Sequence, residues 1–182
     1  MNRHHPAPGL LPAPAPSSAA RAARLHELGL HEQPRGDLDE AVTKLGSTAG
    51  AAYAMVNLLM ADGQYFSGLY RADRPDLPLI PRTMPLTHGF CPSLIAREGR
   101  ALVITDTWAH PGFRSNPVVD LLGVRTYVGA PLVDPESGRT LATLCFIDTA
   151  PRPDADAYHY LALIKSESDD LAPFLFLPSA DR

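Results

Sequence analysis

Between Ala51 and Ala61 the chain is apolar at every position except Asn57. As an extended segment, this run puts Ala52, Ala54, Val56, Leu58 and Met60 on one face and Tyr53, Met55, Leu59 and Ala61 on the other. A strand apolar on both faces belongs at the centre of a sheet, with a layer packed on each side. Asp62-Gly63 follows at once, a dipeptide that turns hairpins, so Gln64 to Arg71 is the returning strand. Whatever else the chain does, it must cover both faces of this hairpin.

The remaining segments supply the cover. Leu38, Val42 and Leu45 recur at helical spacing behind Asp37 or Asp39 as a cap, and Gly46 and Gly50 then loosen the chain. Arg74 to Pro81 reads as a loop and Thr83 to Leu86 as a short extended piece. Pro92 to Glu98 is a short helix stopped by Gly99. Ala101 to Thr105 is a β-branched strand, and Trp108 to Ser115 a loop. Asn116-Pro117 opens a second short helix, which Gly123 ends. Thr126 to Val133 and Thr140 to Ile147 are strands about a turn at Asp134 to Gly138. Ala155 to Leu171 is helical, with Tyr158, Leu161, Ala162 and Leu171 on one side, and Pro173 is expected to kink or stop it. This order implies an α/β (α+β) fold: an antiparallel sheet of about six strands, terminal helices on one face, short helices and loops on the other.

The chain has 182 residues, enough for one domain, with a net charge of -4. The basic residues are scattered and only Lys44 and Lys165 are lysines, which argues against nucleic acid as a partner. No apolar run is long enough to span a membrane, and prolines interrupt any secretory signal, so the expected location is cytoplasmic. Cys91 and Cys145, far apart in sequence, fit a reducing compartment with free thiols. Residues 1–36 read as a disordered Pro/Ala-rich tail, Met1 to Ser18, followed by a short helix. That helix, Ala19 to Leu28, has Ser18 as its cap and Gly29 as its end. Its edge of Leu25, Leu28 and Leu30 packs on the domain or on a second copy. The domain covers 37–176, and 177–182 is a C-terminal tail.

Beyond Met84 the residues resemble the GAF domains of bacterial sensor kinases and cyclases. The resemblance runs through Gly89-Phe90-Cys91, then Leu102-Val103-Ile104-Thr105-Asp106, Pro111-Gly112-Phe113 and Asn116-Pro117-Val118. It continues in Val124 to Leu132, Gly138-Arg139, Thr143 to Asp148 and Pro151-Arg152-Pro153. It implies a GAF-like sheet, a ligand-sensing or regulatory role in signal transduction, and dimerisation through the terminal helices. The Asn-Lys-Phe-Asp-Glu constellation of nucleotide-binding members is absent. Neither cysteine has the adjacent histidine of bilin-binding members, and His110 stands where the family commonly carries an acidic residue. No ligand or cofactor is therefore identified. Little chain follows the last helix, so a stand-alone domain is expected, passing its signal by association with another protein.

Phe90, Cys91, Asp106, Trp108, Phe113, Arg125 and Tyr127 are the candidate ligand pocket, with the aromatics as apolar walls and Asp106 and Arg125 as polar groups. The same aromatics serve equally as packing between the short helices and the sheet. Cys91, at a helix start, is the best nucleophile, though a buried packing role is the commoner fate of such a residue. Cys145 reads as core. His88, His110 and Asp106 lie near Cys91 in sequence but lack metal-ligand spacing. Ser93 lacks a nucleophile elbow, and Asp169-Asp170 face water. One family branch, the free methionine sulfoxide reductases, carries cysteines in a Gly-x-Cys-Gly turn and in the following loop. Gly89-Phe90-Cys91-Pro92 matches the turn in part, but Trp108 to Pro117 holds no cysteine. The expectation is a non-catalytic sensory domain for a small molecule or a signalling partner. A Cys91-dependent reductase and a ligand-free interaction or dimerisation module are the alternatives.

Overall fold

The computed structural model describes residues 16–97 and 99–177. The Pro/Ala-rich stretch at residues 1–15 and the end of the chain at 178–182 lie outside them. Six strands form one antiparallel sheet in the order β3-β2-β1-β6-β5-β4. They are β1 (Tyr53–Leu59), β2 (Gly63–Arg71), β3 (Thr83–Pro85), β4 (Leu102–Ile104), β5 (Thr126–Val133) and β6 (Thr140–Asp148). The doubly apolar strand β1 lies between β2 and β6, and all of its residues are buried. The bulge in its pairing with β2 falls between Val56 and Asn57.

One face carries the longer helices, α1 (Pro16–Glu27), α2 (Gly36–Ala49) and α5 (Ala157–Leu175), over a core containing Ala54, Val56, Leu58 and Phe146. Of the two options for the first helix, the structure shows packing on the domain: Leu25, Leu28 and Leu30 are buried in this core. Arg21 Nε donates to the Leu59 carbonyl at 2.7 Å, and Arg24 pairs with the buried Asp134 at 2.9 Å. Ser18 lies inside α1 and does not cap it, because the helix already runs from Pro16.

Two further expectations need correction. Neither Asp37 nor Asp39 caps α2, whose N-cap is Arg35. Asp37 pairs with Arg35 instead, and Asp39 accepts from the Leu69 amide and from Arg82. Nor does Gly46 loosen the helix, which passes it and ends at Ala49. A Cβ at Gly46 would meet the Tyr70 ring at 2.2 Å, so the missing side chain is what lets that ring pack against α2.

The last helix also differs from its sequence pattern. Tyr160, Ile164, Ser168, Leu171 and Leu175 form its buried stripe, while Tyr158 is 83% exposed. Pro173 neither stops it nor lies outside it. A proline removes one N–H and crowds the carbonyl four residues back. Here that carbonyl belongs to Asp169, and both residues are exposed, so the defect faces solvent.

The other face carries only short pieces: a 3-10 helix at Cys91–Arg97, a second at Thr107–Ala109, α3 (Pro111–Arg114) and α4 (Pro117–Leu122). The stretch from Trp108 to Ser115, expected as a loop, is thus mostly short helix. Asn116 caps α4 through its side chain, and Gly123 closes it in the left-handed region. No described helix is long and apolar enough to cross a membrane.

Candidate functional site

On the second face, alternation along the strands points Tyr53, Met55 and Asn57 of β1, Thr143 and Cys145 of β6, and Tyr127 of β5 the same way. Phe90 and Cys91, on the loop and 3-10 helix of the cover, close over them. Phe90 stacks against Tyr127 at 5.2 Å and edge-on against Phe113 at 5.7 Å between ring centroids. Between sheet and cover remains a cavity of about 30 Å³, bordered by Gln64, Phe90, Cys91, Tyr127 and Cys145. One water needs about 10–15 Å³, and a typical small-molecule site is about 300–1,000 Å³. The cavity as it stands suits a solvent-sized molecule.

The candidate pocket residues divide. Phe90, Cys91 and Tyr127 border the cavity; Asp106, Trp108, Phe113 and Arg125 do not. Phe113 supports Phe90 from behind. Asp106 and Arg125, expected as converging polar groups, instead satisfy each other through two hydrogen bonds of 2.8 Å. Trp108 is 53% exposed, with the Arg125 guanidinium 4.1 Å from its ring centroid. Asp106 also accepts from the Trp108 amide, capping the 3-10 helix at Thr107. This cap turns Trp108 outward, so it walls the surface and not the interior. The Arg125 guanidinium holds the Asp106 carboxyl below its usual range.

The histidines do not gather around Cys91. His88 contacts the Thr87 hydroxyl at 3.0 Å, and His110 packs edge-on against Phe113. Among the described residues no group of three His, Cys, Asp or Glu is placed to hold a metal ion.

Cys91 begins its 3-10 helix and is buried, so its surroundings matter more than a helix dipole. Its Sγ lies 3.5 Å from Cys145 Sγ and accepts from the Tyr127 hydroxyl at 3.4 Å. The Cys145 thiol lowers the Cys91 pKa most; burial opposes this, and Thr143, Tyr127 and Asn57 reinforce it. Cys145 is pushed the other way, first by its bond to Cys91 and then by burial. Burial likewise pushes Tyr127 up, keeping it protonated as a donor. Cys145 is core, as its sequence context indicates, and it is also the nearest thiol to Cys91.

Two tethers escaped the sequence reading. Asn57 donates to Gln64 at 2.7 Å, and Gln64 in turn donates to the carbonyls of Pro85 and His88. This amide relay anchors the turn before Cys91 to the middle of the sheet. Asn116 exchanges two hydrogen bonds with the Gly89 backbone, at 2.9 and 2.7 Å, joining that turn to α4. The signal for the first was present: Asn57 is the polar exception in β1, and a buried amide needs a partner.

The GAF domain family model matches residues 36–166. No curated protein matches the chain. Among solved structures, it is similar to a type II free methionine-R-sulfoxide reductase from Thermoplasma acidophilum, with 13% identity and a TM-score of 0.58 over 79% of this chain and 94% of that one. A free methionine-R-sulfoxide reductase from Neisseria meningitidis is 16% identical, with a TM-score of 0.54 over 88% and 94% of the two chains. The nlh2 GAF domain of A. aeolicus is 14% identical, with a TM-score of 0.56 over 86% and 93%. At these identities the structural likeness concerns the fold.

Proposed function

This chain belongs to the GAF domain family, and from that premise we propose that it is a non-catalytic sensory or regulatory domain that binds a small molecule or a signalling partner. The observation that carries this reading is the unequal cover of the sheet. The α1, α2 and α5 face is closed by helices of 12 to 19 residues. The Cys91 face is closed by helices of 3 to 7 residues around a cavity. Short elements with few buried contacts open at lower free energy than long packed helices. A ligand that inserts beneath Phe90 shifts the population toward an open cover, and the displaced short helices present a changed surface to a partner. We place its action in the cytoplasm; no described helix is long and apolar enough to cross a membrane.

A reductase reading draws on the second thiol near Cys91 and on the solved reductases of the same fold. Against it, the attacking thiol is buried and the cavity is far smaller than an amino-acid substrate.

Native mass spectrometry of the full chain against its denatured mass tests the proposal. A non-covalent added mass, together with a Tm that rises with the recovered compound and fails to rise in Tyr127→Ala, is the expected result. Turnover of free methionine sulfoxide overturns the non-catalytic reading. An unliganded chain whose Tm is unmoved by a broad metabolite panel and that captures no partner overturns the sensory one.

A further inference from the structure

We propose that Cys91 and Cys145 form a peroxide-oxidisable dithiol, a modification site whose disulfide fastens the cover to the centre of the sheet. The proposal rests on the sensory reading and gives it a chemical class of signal, a hydroperoxide.

The two sulfurs are 3.5 Å apart although 54 residues separate them in sequence. Cys145 is fixed in β6, which is paired on both sides, to β1 and to β5. Cys91 is on a seven-residue 3-10 helix. A disulfide needs an S–S distance of about 2.05 Å, so the sulfurs must close by roughly 1.5 Å, and the short helix is the element able to give. Both thiols border the same cavity of about 30 Å³. That volume holds a molecule of one or two oxygen atoms and excludes an amino acid, which matches hydrogen peroxide.

The donors around Cys91 suit the chemistry. A thiolate is the nucleophile toward peroxide. Tyr127 already donates to Cys91 Sγ. Thr143 Oγ1 has no hydrogen-bond partner among the described residues. It lies on the same sheet face as Cys145, beside Asn57, and both side chains favour the Cys91 thiolate. Cys91 receives the Tyr127 hydroxyl and sits on the short cover helix, which makes it the attacking thiol; Cys145, held in β6 between β1 and β5, is the resolving one.

In the first step the Cys91 thiolate attacks one peroxide oxygen. An S–O bond forms, the O–O bond breaks, and the departing hydroxide takes a proton to become water. Cys91 is then a sulfenic acid. In the second step Cys145 Sγ attacks Cys91 Sγ. The S–S bond forms, the S–O bond breaks, and the hydroxyl leaves with the Cys145 proton as a second water. Two thiols and one hydrogen peroxide give one disulfide and two waters, and a thiol reductant reverses the state. The closed disulfide joins the cover to β6, so the face that must open for a ligand is locked shut.

The test uses the full chain, reduced, freed of reductant and exposed to hydrogen peroxide. Expected are a mass loss of about 2 Da, a Cys91–Cys145 peptide, and a Tm rise on the order of 5–10 °C that dithiothreitol reverses. Cys145→Ala should leave the sulfenic acid unresolved, so dimedone added together with denaturant after the peroxide exposure labels Cys91 in the variant and not in the parent. A gain of about 16 or 32 Da at Cys91 with Cys145 still free overturns the proposal, as does a chain inert to peroxide. Dimedone labelling of parent and variant to the same extent overturns it too. Disulfide formation accompanied by methionine sulfoxide turnover supports the dithiol while sinking the non-catalytic reading, so the two fail separately.

Discussion

The Tyr127 side chain lies back over Gly129 on its own strand, so close that a Cβ at position 129 would sit 2.3 Å from the Tyr127 hydroxyl oxygen. This placement delivers the hydroxyl to Cys91 Sγ. The bare backbone at 129 is therefore part of the Cys91 site.

Gly129→Ala should expel the Tyr127 ring from its seat. We expect a stability loss of about 1–3 kcal/mol, the usual range for overpacking a closed core. Denaturant unfolding measures it, and an unchanged midpoint would show that the ring does not occupy this position.

Tyr127→Phe keeps the ring and removes the donor. The expected cost is about 0.5–1.5 kcal/mol. Its sharper signature is in pH. Cys91 has a lowered pKa, so its thiolate adds stability that is full above the ordinary thiol value and is lost as pH falls through the folded-state value. Cys145 has a raised pKa, and its contribution is lost as pH rises past the ordinary thiol value. In Tyr127→Phe the pH at which Cys91 reacts half-maximally with peroxide should move up toward the ordinary thiol range. An unmoved profile would remove Tyr127 from the donor set.

Trp108 is the single tryptophan of the chain and reports directly on Arg125. Arg125→Ala removes the guanidinium from its ring and leaves Asp106 without its partner. The emission spectrum should shift and acrylamide quenching should increase, with a small change in Tm. Emission identical to the parent protein would mean that the stack does not persist in solution.

Arg152 binds the Ala49 and Gly50 carbonyls, the Tyr160 hydroxyl and Asp148, joining the end of α2 to β6 and α5. Arg152→Met removes the 2.7 Å ion pair of the buried Asp148 carboxylate and leaves it only the longer one to Arg74, at 3.8 Å. A loss of roughly 2–4 kcal/mol is expected from removing one partner of a buried pair. A loss under about 0.5 kcal/mol, the level of an ordinary surface substitution, would show that Asp148 finds compensation elsewhere.

The sequence alone settled the local matters. Apolar runs, Asp62-Gly63, Asn116-Pro117 and Gly123 place strands, turns and caps, because those choices depend on neighbouring residues only. The two-faced apolar pattern of β1 dictated a layered sheet, and the order of elements dictated which pieces were short. What the tertiary structure decided was which distant side chains meet. Asp106 and Arg125 lie 19 positions apart and satisfy each other, since β4 and β5 are adjacent and the cap on Trp108 aims that ring at solvent. Pro173 stays within α5 because only solvent opposes it. Cys91 and Cys145 come together because the cover folds onto β6, which the sheet order sets beside β1. Periodicity reports which face a residue takes; it carries no information on what the chain brings to that face from 54 residues away.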